Sequence, residues 1–280
     1  MQKAIEYIKT ELSDFYPETE IRSFTNLLIS EITGFSRTEI IVNKNTNFSD
    51  EQIVLLRTFV EKLKKYVPIQ YVLGKSYFMD LQFFVNDAVL IPRPETEELV
   101  EWIAETIPAH RSFSVLDIGT GSGCIAISLK NIFTNAIVSA YDVSEAALTV
   151  AGQNAKLNNL PVIFEKYDIL NQDTASKKWD LIVSNPPYIP ENEKIGILPN
   201  VLDNEPHLAL FVPDNDPLIF YRKIAQFAQK HLSVGGLLFF EIHRDFGKQT
   251  LNLLNELCFA DVELRRDLSG NDRMIKARKC

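Results

Sequence analysis

Two short stretches carry residue types suited to chemistry. Asn185-Pro186-Pro187-Tyr188 follows an apolar run over 179–184 of the kind that forms a strand covered on both faces. At the carboxyl end of such a strand, two prolines would hold an amide, a carbonyl and an aromatic ring in fixed places for a ligand, although a plain proline turn has the same spelling. Gly119-Thr120-Gly121-Ser122-Gly123 lies between an apolar run over 114–118 and an apolar helical pattern. Its missing side chains either let a ligand approach the main chain or permit a tight turn between strand and helix. A dinucleotide fingerprint needs glycines at its first, third and sixth positions, and the sixth here is Cys124, which weighs against a nicotinamide cofactor.

The elements that must position these stretches are legible as periodicity. Up to about residue 66 the pattern is helical, with Ile5, Ile8 and Leu12 on one face, Phe24, Leu27 and Leu28 on another, and Ile53, Leu56, Val60 and Leu63 on a third. Ser49 or Asp50 is the cap candidate for the last of these. Tyr77, Met79, Leu81, Phe83 and Val85 then alternate with the two-residue period of strands, which predicts a hairpin connector. Next comes a helix led by Pro94, with Glu95, Glu97 and Glu98 in its first turns and Thr96 as a candidate cap. Beyond residue 112, strand candidates at 113–118, 136–141, 162–166, 179–184, 236–242, 260–265 and 273–277 alternate with helical patterns. This predicts an α/β fold, a parallel sheet covered by helices. The last two strands are too close for a crossover helix, so the final one is expected to be antiparallel.

Composition narrows the function. The chain has 280 residues, 46% hydrophobic and 24% charged, and is long enough for a large core plus a smaller domain. Its amino-terminal residues mix charges with apolar positions, unlike a signal peptide, and no apolar run is long enough to span a bilayer, so a cytoplasmic location is expected. Cys124, Cys258 and Cys280 form no paired framework, and His110, His207, His231 and His243 lack metal-ligand spacing, so no metal is expected. The formal charge of −8 disfavours broad binding to a phosphate backbone.

The glycines at every second position, with Asp117 ahead of them, resemble the S-adenosylmethionine-binding turn of class I methyltransferases. The resemblance implies a Rossmann-like, seven-stranded, mostly parallel sheet in which Gly119, Thr120, Gly121, Ser122 and Gly123 hold the methyl donor. It places Asp142, at the end of the next strand, on both ribose hydroxyls, and Asp168 and Ile169 beside the adenine. Read as a residue alone, Asp142 could instead cap the helix that begins near Ser144. Asn185 to Tyr188 is similar to the active-site signature of enzymes that methylate a planar nitrogen. On that resemblance the Asn185 oxygen and the Pro186 carbonyl accept the two N–H protons, and Pro187 and Tyr188 border the planar group.

Three longer segments, 68–102, 205–224 and 267–277, resemble the peptide chain release factor glutamine methyltransferases, and the resemblance covers almost the whole chain. It implies methyl transfer to the amide nitrogen of the glutamine in the Gly-Gly-Gln motif of class-one release factors, with S-adenosylhomocysteine as the other product. It also implies a substrate-docking helical domain over 1–74, a hairpin connector over 75–91 and a catalytic domain over 92–280. Arg93, Pro94 and Thr96 match its RPxT segment beside the pocket, so Arg93 becomes a candidate substrate contact. As a residue, Arg93 could instead pair with Glu95 or Glu97. The chain departs from many relatives at 209–216, where "ALFVPDND" replaces "ALFGG". The alternative substrate is adenine N6 in DNA, which calls for a basic surface, whereas both parts of this chain carry more acidic than basic side chains.

Overall fold

The computed structural model describes residues 1–280 apart from 109–111, 173–174 and 176. In chain order the helices and strands are α1 (Gln2–Leu12), α2 (Glu18–Thr33), α3 (Arg37–Val42), α4 (Asp50–Leu63), α5 (Ile69–Leu73), β1 (Lys75–Phe78), β2 (Leu81–Phe84), α6 (Pro94–Thr106), β3 (Ser114–Ile118), α7 (Cys124–Ile132), β4 (Ile137–Asp142), α8 (Glu145–Leu157), β5 (Ile163–Lys166), β6 (Trp179–Ser184), β7 (Ile189–Pro190), α9 (Pro199–Leu202), β8 (Phe211–Val212), α10 (Ile219–His231), β9 (Leu232–Glu241), α11 (Gly247–Glu256), β10 (Phe259–Arg266) and β11 (Asp272–Lys279). They divide into two compact units, Met1–Gly74 with Leu198–Asn204, and Lys75–Ile197 with Glu205–Cys280.

The first unit is helical. Ile8, Leu12, Phe24, Leu28, Leu56, Val60 and Leu63 form its core as their spacing predicts, joined by Ile21, Ile29 and Phe59. Leu27 and Ile53, expected on the same faces, are exposed instead. The stripe that α2 buries runs through residues 21, 24, 25, 28 and 29, which leaves position 27 on the opposite side. Ser49 and Gln52 close a reciprocal capping box that starts α4.

The second unit is built on a seven-stranded sheet in the order β10-β11-β9-β6-β3-β4-β5. Strands β9, β6, β3, β4 and β5 run parallel, and β11 is antiparallel to both β9 and β10. Successive residues feed opposite core layers, as a two-residue period requires. Val115, Leu181 and Phe239 pack with α6 and α7, whereas Leu116, Ile182 and Leu238 pack with α10 and α11. Strand β9 starts earlier than its apolar run, at Leu232, because a register shift against β6 at Gly235 and Gly236 absorbs the extra residues.

The hairpin corrects one predicted face. Met79 and Asp80 both take positive φ in a two-residue turn, so the alternation does not run straight through. Phe78 and Phe83 are buried and meet edge to face, while Tyr77 is exposed. Asn154 of α8 anchors this hairpin: its Oδ1 accepts from the Phe84 N–H, and its Nδ2 donates to the carbonyls of Phe84 and Ser122.

Gly123, where α7 begins, takes φ +83, and a Cβ there would meet Ile127 at 3.0 Å and Ala151 at 3.2 Å. Gly123→Ala is therefore expected to destabilise the chain by about 2–4 kcal/mol, combining left-handed strain with overpacking. The denaturant midpoint measures it.

Candidate active site

The carboxyl ends of β3, β4, β6 and β9 face one edge of the sheet, where side chains leave the ladder and a ligand can reach them. A cavity of about 240 Å³ opens there, room for a ligand of many atoms. It is lined by Arg93, Gly119, Thr120, Gly121, Ser122, Asp142, Asp168, Ile169, Asn185, Pro186 and Pro187, so stretches far apart in sequence share one wall. Two expected residues lie outside that lining. Gly123 packs against α7 and α8, and Tyr188 turns back toward the sheet.

The glycine turn is held from β4. Gly119 and Thr120 both donate their N–H groups to the Tyr141 carbonyl, and Gly121 donates to Asp142 Oδ2 at 2.9 Å. Gly119 and Gly121 take positive φ with nothing near the position a Cβ would fill, so the turn presents open main chain. Asp142 also accepts from the Ser144 N–H at 2.9 Å, while Ser144 itself caps α8 by accepting from Ala147. Burial raises the Asp142 pKa, and the N–H donors of Ser144, Gly121 and Val143 oppose that rise.

Asp168 also lines the cavity, with both carboxylate oxygens engaged, Oδ1 by the Leu170 N–H and Oδ2 by the Asn171 side chain. Arg93 pairs neither with Glu95 nor with Glu97. Its Nη2 lies 2.5 Å from Oε1 of Glu205, a nearly fully buried carboxylate that also accepts from the Ile91 N–H. Thr96 does not cap α6, whose N-cap is Arg93. Its hydroxyl points instead to Glu241, donating to Oε2 at 2.6 Å, and Tyr188 donates its phenol to Oε1 of the same carboxylate at 3.1 Å. Asn185 Nδ2 donates to Thr96 Oγ1 at 3.2 Å. The altered segment after Leu210 is ordered by pairing: β8 lies parallel to β7, and Asp214 accepts from the Asn192 N–H.

Glu205, Glu241, Phe220 and Ile224 were not singled out from the sequence, yet Phe220 and Ile224 line the cavity and the two acids brace residues that do. A signal for Glu241 existed. It is an acid at the carboxyl end of an apolar parallel strand, the edge where this fold gathers its polar groups. Among the described residues no group of three His, Cys, Asp or Glu side chains is placed to hold a metal ion, and His110 lies outside them. No helix among them is long and apolar enough to cross a membrane.

The PrmC N-terminal domain model matches residues 3–74, and the methyltransferase small domain model matches residues 96–204. A release factor glutamine methyltransferase from Flavobacterium psychrophilum is 46% identical over 268 residues, 95% of this chain and 94% of that one. The chain belongs to the release factor glutamine methyltransferase family. A release factor glutamine methyltransferase from Bacteroides thetaiotaomicron is 40% identical over the full length of both chains. A solved methyltransferase from Pyrococcus furiosus superposes with a TM-score of 0.54 at 18% identity, covering 83% of this chain and 99% of its own, which is a likeness of fold. As a release factor glutamine methyltransferase family member the chain is an enzyme, and residues 96–197 of its matched methyltransferase domain lie in the larger unit.

Asp117, fully buried beneath the glycine turn, has its pKa pushed up from 3.8 to about 7 by burial, partly offset by the 2.6 Å hydrogen bond from Thr120. Because the folded chain holds that proton more tightly than the unfolded one, this group's contribution to stability declines as pH rises from about 4 to about 7 and is level above. Asp117→Asn removes the dependence. The Tm of the parent chain minus that of the variant is expected to fall between pH 5 and 7, and a flat difference would contradict the assignment.

Proposed function

We propose that the chain transfers a methyl group from S-adenosylmethionine to the side-chain amide nitrogen of the glutamine in the Gly-Gly-Gln motif of class-one release factors, leaving S-adenosylhomocysteine. One observation carries the reading: Asn185, Pro186 and Pro187 line the same cavity as the open glycine turn and Asp142. A methyl acceptor and a nucleoside-bearing donor can therefore meet without either leaving the protein.

The residues fit the donor. Gly119 and Gly121 leave room for close approach to their main chain, and Asp142 offers a carboxylate whose remaining lone pairs suit two ribose hydroxyls. Ile169 and Phe220 supply apolar wall for an adenine, with Asp168 at its edge. When bound, this cofactor supplies a sulfonium methyl, an activated electrophile. The chain's own task is the nucleophile. An amide nitrogen has its lone pair delocalised into the carbonyl, so the site must hold the nitrogen and favour its pyramidal form. The Asn185 oxygen and the Pro186 carbonyl accept its two N–H groups, which fixes the nitrogen and stabilises the positive charge it gains. The nitrogen's electron pair would form the new N–CH3 bond as the donor's S–CH3 bond breaks and its electrons return to sulfur, and the surplus proton would pass afterwards to solvent water from an N–H already held by an acceptor. The prolines keep those acceptors in place with little reorganisation.

Arg93, set at the wall by Glu205, borders the same space and is proposed to touch the substrate. Tyr188 acts from behind the wall by holding the segment to Glu241. The helical unit over 1–74 is proposed to dock the release factor; Ile41, Val42 and Val54 leave apolar surface exposed for that purpose. The hairpin over 75–91 would connect it to the catalytic part over 92–280. A chain that modifies release factors works where translation occurs, which places it in the cytoplasm. Its net negative charge argues against direct nucleic-acid binding.

The test is mass spectrometry of a purified class-one release factor after incubation with the chain and S-adenosylmethionine, with unmethylated DNA in parallel. One added methyl on the Gly-Gly-Gln glutamine is expected, and transfer to DNA adenine alone would overturn the substrate. Asn185→Ala is expected to lower turnover by at least about 100-fold while donor affinity by calorimetry stays within about threefold.

A further inference from the structure

An asparagine can accept an N–H from a substrate only if its amide turns the oxygen, and not the NH2, toward it. The two orientations have nearly the same shape, so packing does not choose between them; the hydrogen-bonding groups around the amide do. Around Asn185 that choice traces to a residue outside the cavity lining. Glu241 ends β9 and is 1% exposed. Its Oε2 accepts the Thr96 hydroxyl at 2.6 Å, and its Oε1 accepts the Tyr188 phenol at 3.1 Å.

A threonine hydroxyl has one proton to give. With that proton committed to Glu241, Thr96 Oγ1 has only lone pairs left, so the group facing it at 3.2 Å must be the Asn185 NH2. The oxygen is then the end of the amide left for a substrate N–H. Were the carboxylate absent, the hydroxyl could turn round and donate to the amide oxygen, and the NH2 would be offered to a substrate nitrogen that has only protons to give. Burial makes the arrangement stiff, because every member of a water-excluded network loses heavily if left unpaired.

We propose that Glu241 is a positioning residue for methyl transfer, acting through the Thr96 hydroxyl to hold the Asn185 amide with its oxygen toward the methyl-accepting nitrogen. The inference rests on the proposed role of Asn185. It adds a direction to the network: the carboxylate accepts, the threonine passes that polarity on, and the asparagine is set as an acceptor.

Thr96→Val keeps the side-chain shape and deletes the relay, whereas Thr96→Ser restores the hydroxyl. With a release factor as substrate, Thr96→Val is expected to lower kcat by about 10- to 100-fold, the range for losing an oriented polar group. The KM for the release factor and the Kd for S-adenosylmethionine should stay within about threefold. Thr96→Ser is expected to recover most of the lost kcat. Glu241→Leu should be at least as slow as Thr96→Val, and adding Thr96→Val to it should cost less than a further threefold, since the threonine then has no polarity to pass on.

A role confined to stability would instead lower the melting temperature of all these variants and leave kcat per folded molecule unchanged, overturning the proposal. An equal kcat loss from Thr96→Val with and without Glu241 would overturn it too. If Glu241→Leu fails to fold, the side-chain NH2 protons of Asn185, identified in NMR spectra by their loss in Asn185→Ala, still decide. One of them should be protected from exchange in the parent chain and in Thr96→Ser, and unprotected in Thr96→Val; protection that survives in Thr96→Val refutes the relay. That readout needs no substrate, so it tells a failed relay apart from a failed glutamine reading, in which the parent chain would methylate no release factor.

Discussion

Polar groups at the ends of buried parallel strands lose much of their access to water, and this constraint organises the larger unit. Four neighbouring strands deliver such groups to one edge: Asp117 near the end of β3, Asp142 at the end of β4, Asn185 just after β6, and Glu241 at the end of β9. Each engages at least one hydrogen-bond partner supplied by the fold, although Asp117 Oδ1 is buried without one. Asp117 takes the Thr120 hydroxyl, Asp142 takes main-chain N–H groups of the glycine turn and of the segment after β4, and Glu241 takes Thr96 and Tyr188. Of these partners, Thr120, Gly121, Ser144 and Thr96 also line the cavity.

This economy explains why packing and function are hard to separate in the larger unit. The helix α6 contributes Trp102 to the core, in edge-to-face contact with Phe239, and in its first turn sends Thr96 to Glu241. Strand β9 contributes Phe239 and Phe240 to opposite core layers and ends in that same Glu241. The apolar contacts set the distance between helix and strand end, and the 2.6 Å hydrogen bond from Thr96 to Glu241 can form only at that distance.

Much of the architecture was legible because it rests on local periodicity. The seven strands of the sheet, the antiparallel last strand and the glycine turn follow from alternation, spacing and the absence of side chains. Parity across a turn was not so legible. The apolar residues from Tyr77 to Val85 read as one face, but two residues of positive φ at Met79 and Asp80 reset the face, and Phe78 went inward in place of Tyr77. Likewise Leu27 and Ile53 satisfied a helical count without lying on the buried stripe, because which side of a helix faces the core depends on its neighbours.

The site divides along the same line. The motifs from Gly119 to Gly123 and from Asn185 to Tyr188 are contiguous, so their residue types and order are a property of the sequence, and with the longer resemblances they were sufficient to name a family and a chemistry. Pairings across more than a hundred residues were decided only by the tertiary structure: Arg93 with Glu205 in place of Glu95 or Glu97, and Thr96 with Glu241 in place of a cap on its own helix. The reason is physical. A neighbour in sequence is a candidate partner at any exposure, but a buried carboxylate has far more to lose without a donor, and the fold brings a donor to Glu205 and to Glu241.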